Sequence, residues 1–247
     1  MQMVNGKKQS NCYWLYGIHA VKAAALNPKR VIQRIVTLDD KLLPQALPAT
    51  SRTLKARVEV VDKGFFQKTF GQNIVHQNIA AWVEPLPALH LEDLCMKATP
   101  KQTVAVLDQV TDPHNIGAIL RSAAAFNISA LVLTHNHSPQ QFGTIAKAAS
   151  GAFELIPLVF VTNLARSMET LKKSGFWCIG MDGTGKQFIT DIKGYDKKAI
   201  VLGSEGQGMR RLTASHCDII AKIPTSENFS TLNVSTAAAI TFYEANK

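Results

Sequence analysis

From residue 104 onward, short apolar runs alternate with longer stretches whose apolar positions recur at helical spacing. The runs predict strands at 104–107, 130–133, 155–160, 177–181, 199–202 and 219–223. The stretches between them predict helices at 117–126, 141–149, 165–174, 209–215 and 234–245. Such alternation predicts a parallel sheet covered by helices on both faces. The earlier part is less regular. Residues 13–84 read as a small α/β unit, with a helix over 16–26 behind Gly17, strands at 31–38, 58–61 and 79–83, and a short helix at 63–70. Residues 1–12 are polar and read as a flexible arm. Residues 85–102, opening Pro-Leu-Pro, read as a linker with a short helical turn, ahead of a larger domain at 103–247.

Three strand-to-loop junctions carry the polar chemistry. Residues 104–121 read Val-Ala-Val-Leu-Asp-Gln-Val-Thr-Asp-Pro-His-Asn-Ile-Gly-Ala-Ile-Leu-Arg, a strand, a loop and a helix. Here Pro113 breaks the strand side, Asn115 is placed to cap the helix, and Arg121 falls in its second turn. Residues 201–212 read Val-Leu-Gly-Ser-Glu-Gly-Gln-Gly-Met-Arg-Arg-Leu, an apolar strand opening into a glycine loop with one carboxylate, Glu205. Residues 231–235, Thr-Leu-Asn-Val-Ser, precede the last helix. In an open α/β sheet, ligands bind at the carboxyl ends of the strands, which places a small-molecule site in the last third of the chain. Residues 203–208 lack dinucleotide-fold spacing; a loop between strand and helix suits close backbone approach to a ligand. Residues 180–186 fit Gly-x-x-x-x-Gly-Lys, but Gln187 stands where Ser or Thr would hold magnesium, so a turn after a strand is the better reading.

Taken in order, Asn115-x-Gly117-x-x-x-Arg121, then Gly203-x-Glu205-Gly206-x-Gly208, then Leu232-Asn233-Val234-Ser235 resemble the three motifs of the SpoU (TrmH) family, S-adenosylmethionine-dependent RNA 2'-O-ribose methyltransferases of the SPOUT superfamily. The resemblance implies an α/β fold whose C-terminal parallel-sheet domain is tied in a deep trefoil knot, and a homodimer that builds each active site from two chains. It implies that Arg121, Asn115, Glu205 and Asn233 are catalytic. Arg121 would stabilise the ribose oxygen, Asn115 would orient the arginine or ribose, and Glu205 would hold Arg121 in a bidentate pair. It also implies that S-adenosyl-L-methionine is held at Gly203, Ile223, Leu232 and Ser235, largely by backbone groups. Residues 13–84, with Tyr16-Gly-Ile-His-Ala-Val21 and His76-Gln-Asn-Ile-Ala-Ala81, resemble the ribosomal-protein-like α/β domain that recognises RNA in bacterial 23S rRNA guanosine 2'-O-methyltransferases. One departure is Thr231, where the family usually has serine; it keeps the hydroxyl and adds a methyl. Read without the family, Arg121 is an exposed helix arginine, Asn115 and Asn233–Ser235 are helix caps, and Glu205 is a solvated loop charge.

Charge adds a partner. The chain carries a net charge of +9, and residues 1–80 hold 12 basic against 4 acidic residues, leaving 15 against 14 for the remainder. A basic surplus confined to the N-terminal third points to a polyanion; the resemblance implies that this is structured RNA, with large-subunit rRNA foremost. Cys12, Cys95, Cys178 and Cys217 form no Cys-x-x-Cys pair and read as free thiols. The seven histidines show no ligand spacing; His135 and His137, the nearest pair, read as a surface loop, and no metal is expected. No apolar run spans a bilayer and residues 1–10 lack a signal core, so a cytoplasmic protein with no membrane partner is expected. Three rival readings share these features: a tRNA 2'-O-methyltransferase, an antibiotic-resistance methyltransferase, and a non-catalytic ribosome-assembly factor. The intact Arg121, Glu205 and Asn233 argue against the last.

Overall fold

The computed structural model describes residues 12–48, 56–97, 99–135, 141–229 and 231–247. Residues 1–11 of the expected arm, and His137, lie outside these. The chain divides into two compact units between Pro87 and Ala88.

The first unit is a four-stranded mixed sheet, in the order β1 (Tyr13–Tyr16), β4 (Ile79–Val83), β2 (Ile32–Thr37), β3 (Arg57–Val60). β4 runs antiparallel to both its neighbours, and β2 and β3 are parallel. The helices are α1 (Ile18–Leu26), α2 (Leu43–Ala46) and α3 (Lys63–Phe70). Helix α3 begins at an Asp62 cap, whose carboxylate accepts from Phe65 N at 2.7 Å. It sets Phe66 into a cluster with Tyr16, Val36 and Ala80. Tyr16 is thus the end of a strand and not the start of a helix. Four residues are too few for alternation to register in sequence, and pairing with β4 decides the conformation.

The second unit contains a seven-stranded sheet, ordered β7 (Leu158–Val161), β6 (Leu131–Thr134), β5 (Gln102–Asp108), β10 (Lys197–Gly203), β8 (Trp177–Met181), β11 (Ile219–Lys222), β9 (Gln187–Phe188). Every pairing is parallel. The central strands read as unbroken apolar runs because they are covered on both faces: Val104–Leu107 and Ala199–Leu202 are buried throughout. The described helices are α4 (Leu91–Met96), α5 (Pro113–Ala125), α6 (Phe142–Ala148), α7 (Leu164–Lys173), α8 (Arg211–Ser215) and α9 (Val234–Ala245). The stretch read as a linker is helical at its centre. Leu91 and Leu94 of α4 are buried in a core cluster with Val159, Leu164 and Met168, so that segment packs as part of the second unit. The two-residue β9 and the 3-10 turn Ile189–Gly194 were not anticipated, since neither has a readable period.

Helix α5 begins earlier than its apolar spacing indicates. Asp112 is the N-cap and accepts from His114 N at 2.9 Å, and Pro113 is the first helical residue. Proline fits there because its fixed φ suits the helix and its missing N–H would have been unsatisfied anyway. Asn115 is therefore released from capping, and Arg121 falls in the third turn. Gly117 brings α5 against α6: a Cβ at this position would lie 2.3 Å from the Ala148 Cβ and 2.8 Å from the Ile145 carbonyl oxygen.

Candidate active site

The loops after β8, β10 and β11 come together at the carboxyl ends of their strands. They enclose a cavity of about 290 Å³. Its walls include Gly203 and Glu205 from the loop after β10, Ile223 just beyond β11, and Thr231 and Leu232 ahead of α9. Three of the four expected cofactor residues, Gly203, Ile223 and Leu232, thus line one cavity. The fourth, Ser235, lies in the first turn of α9, where its N and Oγ donate to Asn233 Oδ1 at 2.8 and 2.6 Å.

The glycine loop owes its shape to residues 203–208. Ser204 and Gly208 form an antiparallel bridge, with Ser204 N to Gly208 O at 3.1 Å and Gly208 N to Ser204 O at 2.9 Å. A Cβ on Gly203 would fall 2.1 Å from the Gly208 carbonyl carbon and 2.2 Å from Met209 N. The close approach that this glycine permits is to the other limb of its own loop. An ion pair closes the loop from below. Asp108, at the end of β5, has a side chain with no solvent exposure. It accepts from Arg210 N at 2.9 Å and Nε at 2.7 Å, and Arg210 Nη2 lies 2.7 Å away. Paired and hydrogen-bonded in this way, the buried carboxylate is compensated, and the end of the glycine loop is fixed to the central strand. Sequence reading missed Asp108. A lone aspartate ending an apolar strand is the only signal it leaves.

Asn115, Glu205 and Asn233 form one hydrogen-bonded triangle. Asn115 Nδ2 donates to Glu205 Oε1 at 3.0 Å, and Asn233 Nδ2 donates to Asn115 Oδ1 at 3.1 Å and to Glu205 Oε1. Asn233 is also the N-cap of α9, its Oδ1 accepting from Ser235 N and Thr236 N. Because Oδ1 faces these donors, the amide nitrogen must face the carboxylate, and both ends of one side chain are used. Of the two residues read as caps here, Asn233 and Ser235, the asparagine supplies the cap.

Arg121 does not join this triangle. Among the described residues the expected bidentate pair with Glu205 is absent; Glu205 Oε1 accepts instead from the two asparagines. Six residues along α5 carry Arg121 about 9 Å from Asn115 along the axis and about a third of a turn away from its face. Arg121 is exposed and makes no ion pair or hydrogen bond among the described residues.

Among the described residues no group of three or more His, Cys, Asp or Glu is placed to hold a metal, and no helix is long and apolar enough to cross a membrane. His135 stacks on Phe160 with centroids 5.2 Å apart.

Residues 102–243 match the SpoU rRNA Methylase family, and residues 14–89 match the RNA 2'-O ribose methyltransferase substrate-binding family. The 23S rRNA (guanosine-2'-O-)-methyltransferase RlmB of Vibrio parahaemolyticus is 40% identical over 242 residues, covering 94% of this chain and 95% of the relative. The RlmB of Escherichia coli is 36% identical over 237 residues, covering 94% and 96%. The crystal structure of the SpoU methyltransferase AviRb from Streptomyces viridochromogenes, in complex with AdoMet, shares the fold at a TM-score of 0.82 and 20% identity, covering 97% of this chain and 92% of that one. With residues 102–243 and 14–89 both matched, the chain belongs to the SpoU rRNA methylase family.

Proposed function

We propose that this protein transfers a methyl group from S-adenosylmethionine to the 2'-oxygen of a guanosine ribose in 23S rRNA. The observation that carries this reading is the meeting of three distant motifs. Asn115, Glu205 and Asn233 bond to one another beside the cavity lined by Gly203, Ile223 and Leu232. The relatives that match nearly the whole chain are named for that reaction.

The cavity suits the cofactor. Leu202, Ile223, Leu232, Val234 and Ala237 supply apolar walls for an adenine, and the loops around them offer peptide groups for its ring nitrogens and ribose. When bound, S-adenosylmethionine supplies an electrophilic methyl group on a sulfonium sulfur. The asparagine–glutamate triangle fixes the two loops and the start of α5 relative to one another, so that an incoming ribose meets preorganised groups. Most of the rate gain then comes from proximity and orientation. A guanidinium is a poor base, so the role of Arg121 is to stabilise the alkoxide that develops as the hydroxyl proton leaves to solvent.

The position of Arg121, exposed and off the face that carries Asn115, supports a homodimer in which one chain's arginine completes the other chain's site. The strand order supports a knotted domain. β10 is inserted between β5 and β8, β11 between β8 and β9, and α9 then packs against α5 and β10. The basic mixed-sheet unit serves as a ribosomal-protein-like RNA-binding domain, and the protein works in the cytoplasm, where rRNA is made.

Labelled S-adenosylmethionine with protein-free large-subunit rRNA and with tRNA tests this reading. Label enters rRNA alone, and Arg121→Ala loses it by about 100-fold or more while cofactor binding stays within about twofold. Label in tRNA alone would replace the substrate assignment. The composite site has its own check: Arg121→Ala and Asn233→Ala proteins, each inactive, regain part of the activity when unfolded and refolded together. No recovery would mean that each chain builds its site alone.

A further inference from the structure

The cavity has an unusual charge for its protein. The chain as a whole is +9, yet among the described residues the cavity's lining contains two carboxylates, Asp182 and Glu205, and no lysine, arginine or histidine. Glu205 is tied to the triangle through Oε1, which accepts from both asparagines. Asp182 stands outside that triangle. It follows β8, and its Oδ1 accepts from Thr184 N at 2.8 Å and Thr184 Oγ1 at 2.7 Å, which shapes the turn at 182–185. Its other oxygen, Oδ2, makes no hydrogen bond among the described residues. That oxygen lies over the glycine loop, 3.7 Å from where a Cβ on Gly208 would stand. One half of the carboxylate therefore builds the turn, and the other half is left to act on whatever fills the cavity.

We propose that Asp182 makes this cavity selective for charge at the cofactor's sulfur, favouring the methyl donor over its spent product. The inference rests on the cofactor reading above. In the transfer, the methyl carbon's bond to sulfur breaks and its bond to the ribose oxygen forms. The sulfur keeps the bonding electron pair and passes from a cationic sulfonium to a neutral thioether. Donor and product are otherwise the same molecule, with the same adenosine and the same amino-acid end. An unneutralised carboxylate in a pocket walled by apolar side chains, and free of competing cations, stabilises the first and gains nothing from the second. The product is thereby held less tightly at the moment it must leave. Glu205 carries the same charge but is exposed, whereas Asp182 is half-buried, so the Asp182 charge is the less screened of the two.

The test compares binding of S-adenosylmethionine and S-adenosylhomocysteine by calorimetry, without RNA, to the full-length protein and two variants. Asp182→Asn keeps an oxygen for Thr184 and removes only the charge. Thr184→Val removes the hydroxyl's bond to the turn and keeps the charge. The expected result is that Asp182→Asn weakens the donor by about tenfold and the product by less than about threefold, while Thr184→Val leaves the donor-to-product ratio within about twofold of the parent. Equal losses for both ligands in Asp182→Asn would overturn the proposal, since they would mark a contact to a group that donor and product share. A ratio shifted as strongly by Thr184→Val would also overturn it, by tracing the effect to the turn. If the parent protein bound neither ligand, the cofactor reading itself would fall, and this inference with it.

Discussion

Two side chains at the site carry consequences measurable one residue at a time. Gly203→Ala forces a methyl group into the Gly208–Met209 backbone, with no flexible side chain to yield. The loop must open, and about 2 kcal/mol or more of stability and most cofactor binding should be lost together. Thermal melts with and without S-adenosylmethionine read both. Asp108→Ala leaves the Arg210 guanidinium without its partner and empties a fully buried position. Because Arg210 is itself partly exposed and its charge stays solvated, a loss of about 1–3 kcal/mol is expected in denaturant titration, from the lost hydrogen bonds. The cysteines add a pH effect. Burial pushes the Cys178 and Cys217 thiols up to about 12, and the nearby Asp218 carboxylate pushes the same way, against an opposing pull from Lys172. Both stay protonated when folded, while in the unfolded chain they ionise near 9. Below that value they have no effect on stability. Between about 9 and 12 the unfolded state sheds protons that the folded state keeps, so stability falls as pH rises, by about 1.4 kcal/mol per thiol per unit. Denaturant midpoints at pH 8 and pH 10 check the sign, and Cys217→Ser should flatten the difference.

At the scale of elements, the site is an arrangement of helix starts. Helix α5 begins at Asp112-Pro113 and α9 at Asn233, and each start delivers an asparagine amide to Glu205. Asn233→Ala removes a cap and a bridge at once. The cap alone accounts for about 1 kcal/mol, and the bridge for the alignment of two loops. Asn233→Asp separates the two: it retains the capping oxygen but sets a second carboxylate against Glu205. Its melting temperature should stay closer to the parent than that of Asn233→Ala, while its methyl transfer falls as far. Equal melting temperatures for the two variants would show that the cap contributes little. Apolar spacing showed that both helices exist. It misplaced the start of α5 by four residues because Pro113 was read as a breaker, whereas the preceding Asp112 makes it the first helical residue.

For the whole molecule, charge and topology divide the labour. The surplus of 12 basic over 4 acidic residues in the first 80 predicts an rRNA affinity that falls steeply with salt, linearly on a log–log plot. Paired charge reversals in residues 13–84 should reduce that slope; equivalent reversals in residues 88–247 should change it less. The motifs, their order and the family they identify were all readable in the sequence, because a reaction that needs particular groups fixes residue types that no repacking can replace. The apolar runs of β5 and β10 were readable too, since a strand buried on both faces has no polar positions to confuse it. What sequence could not supply was adjacency. Glu205 was expected to hold Arg121, and only the folded chain shows that it faces Asn115 and Asn233, 90 and 28 residues away. Asp108 and Asp182 were silent for the same reason. The importance of a carboxylate depends on what it meets, and the meeting of Asp108 with Arg210, or of Asp182 with an acidic cavity, is decided by strand order and loop closure. The sequence by itself determined the chemistry available, and the tertiary structure alone decided which groups share a site, because hydrogen bonds and charges act over a few ångströms of space and not along the chain.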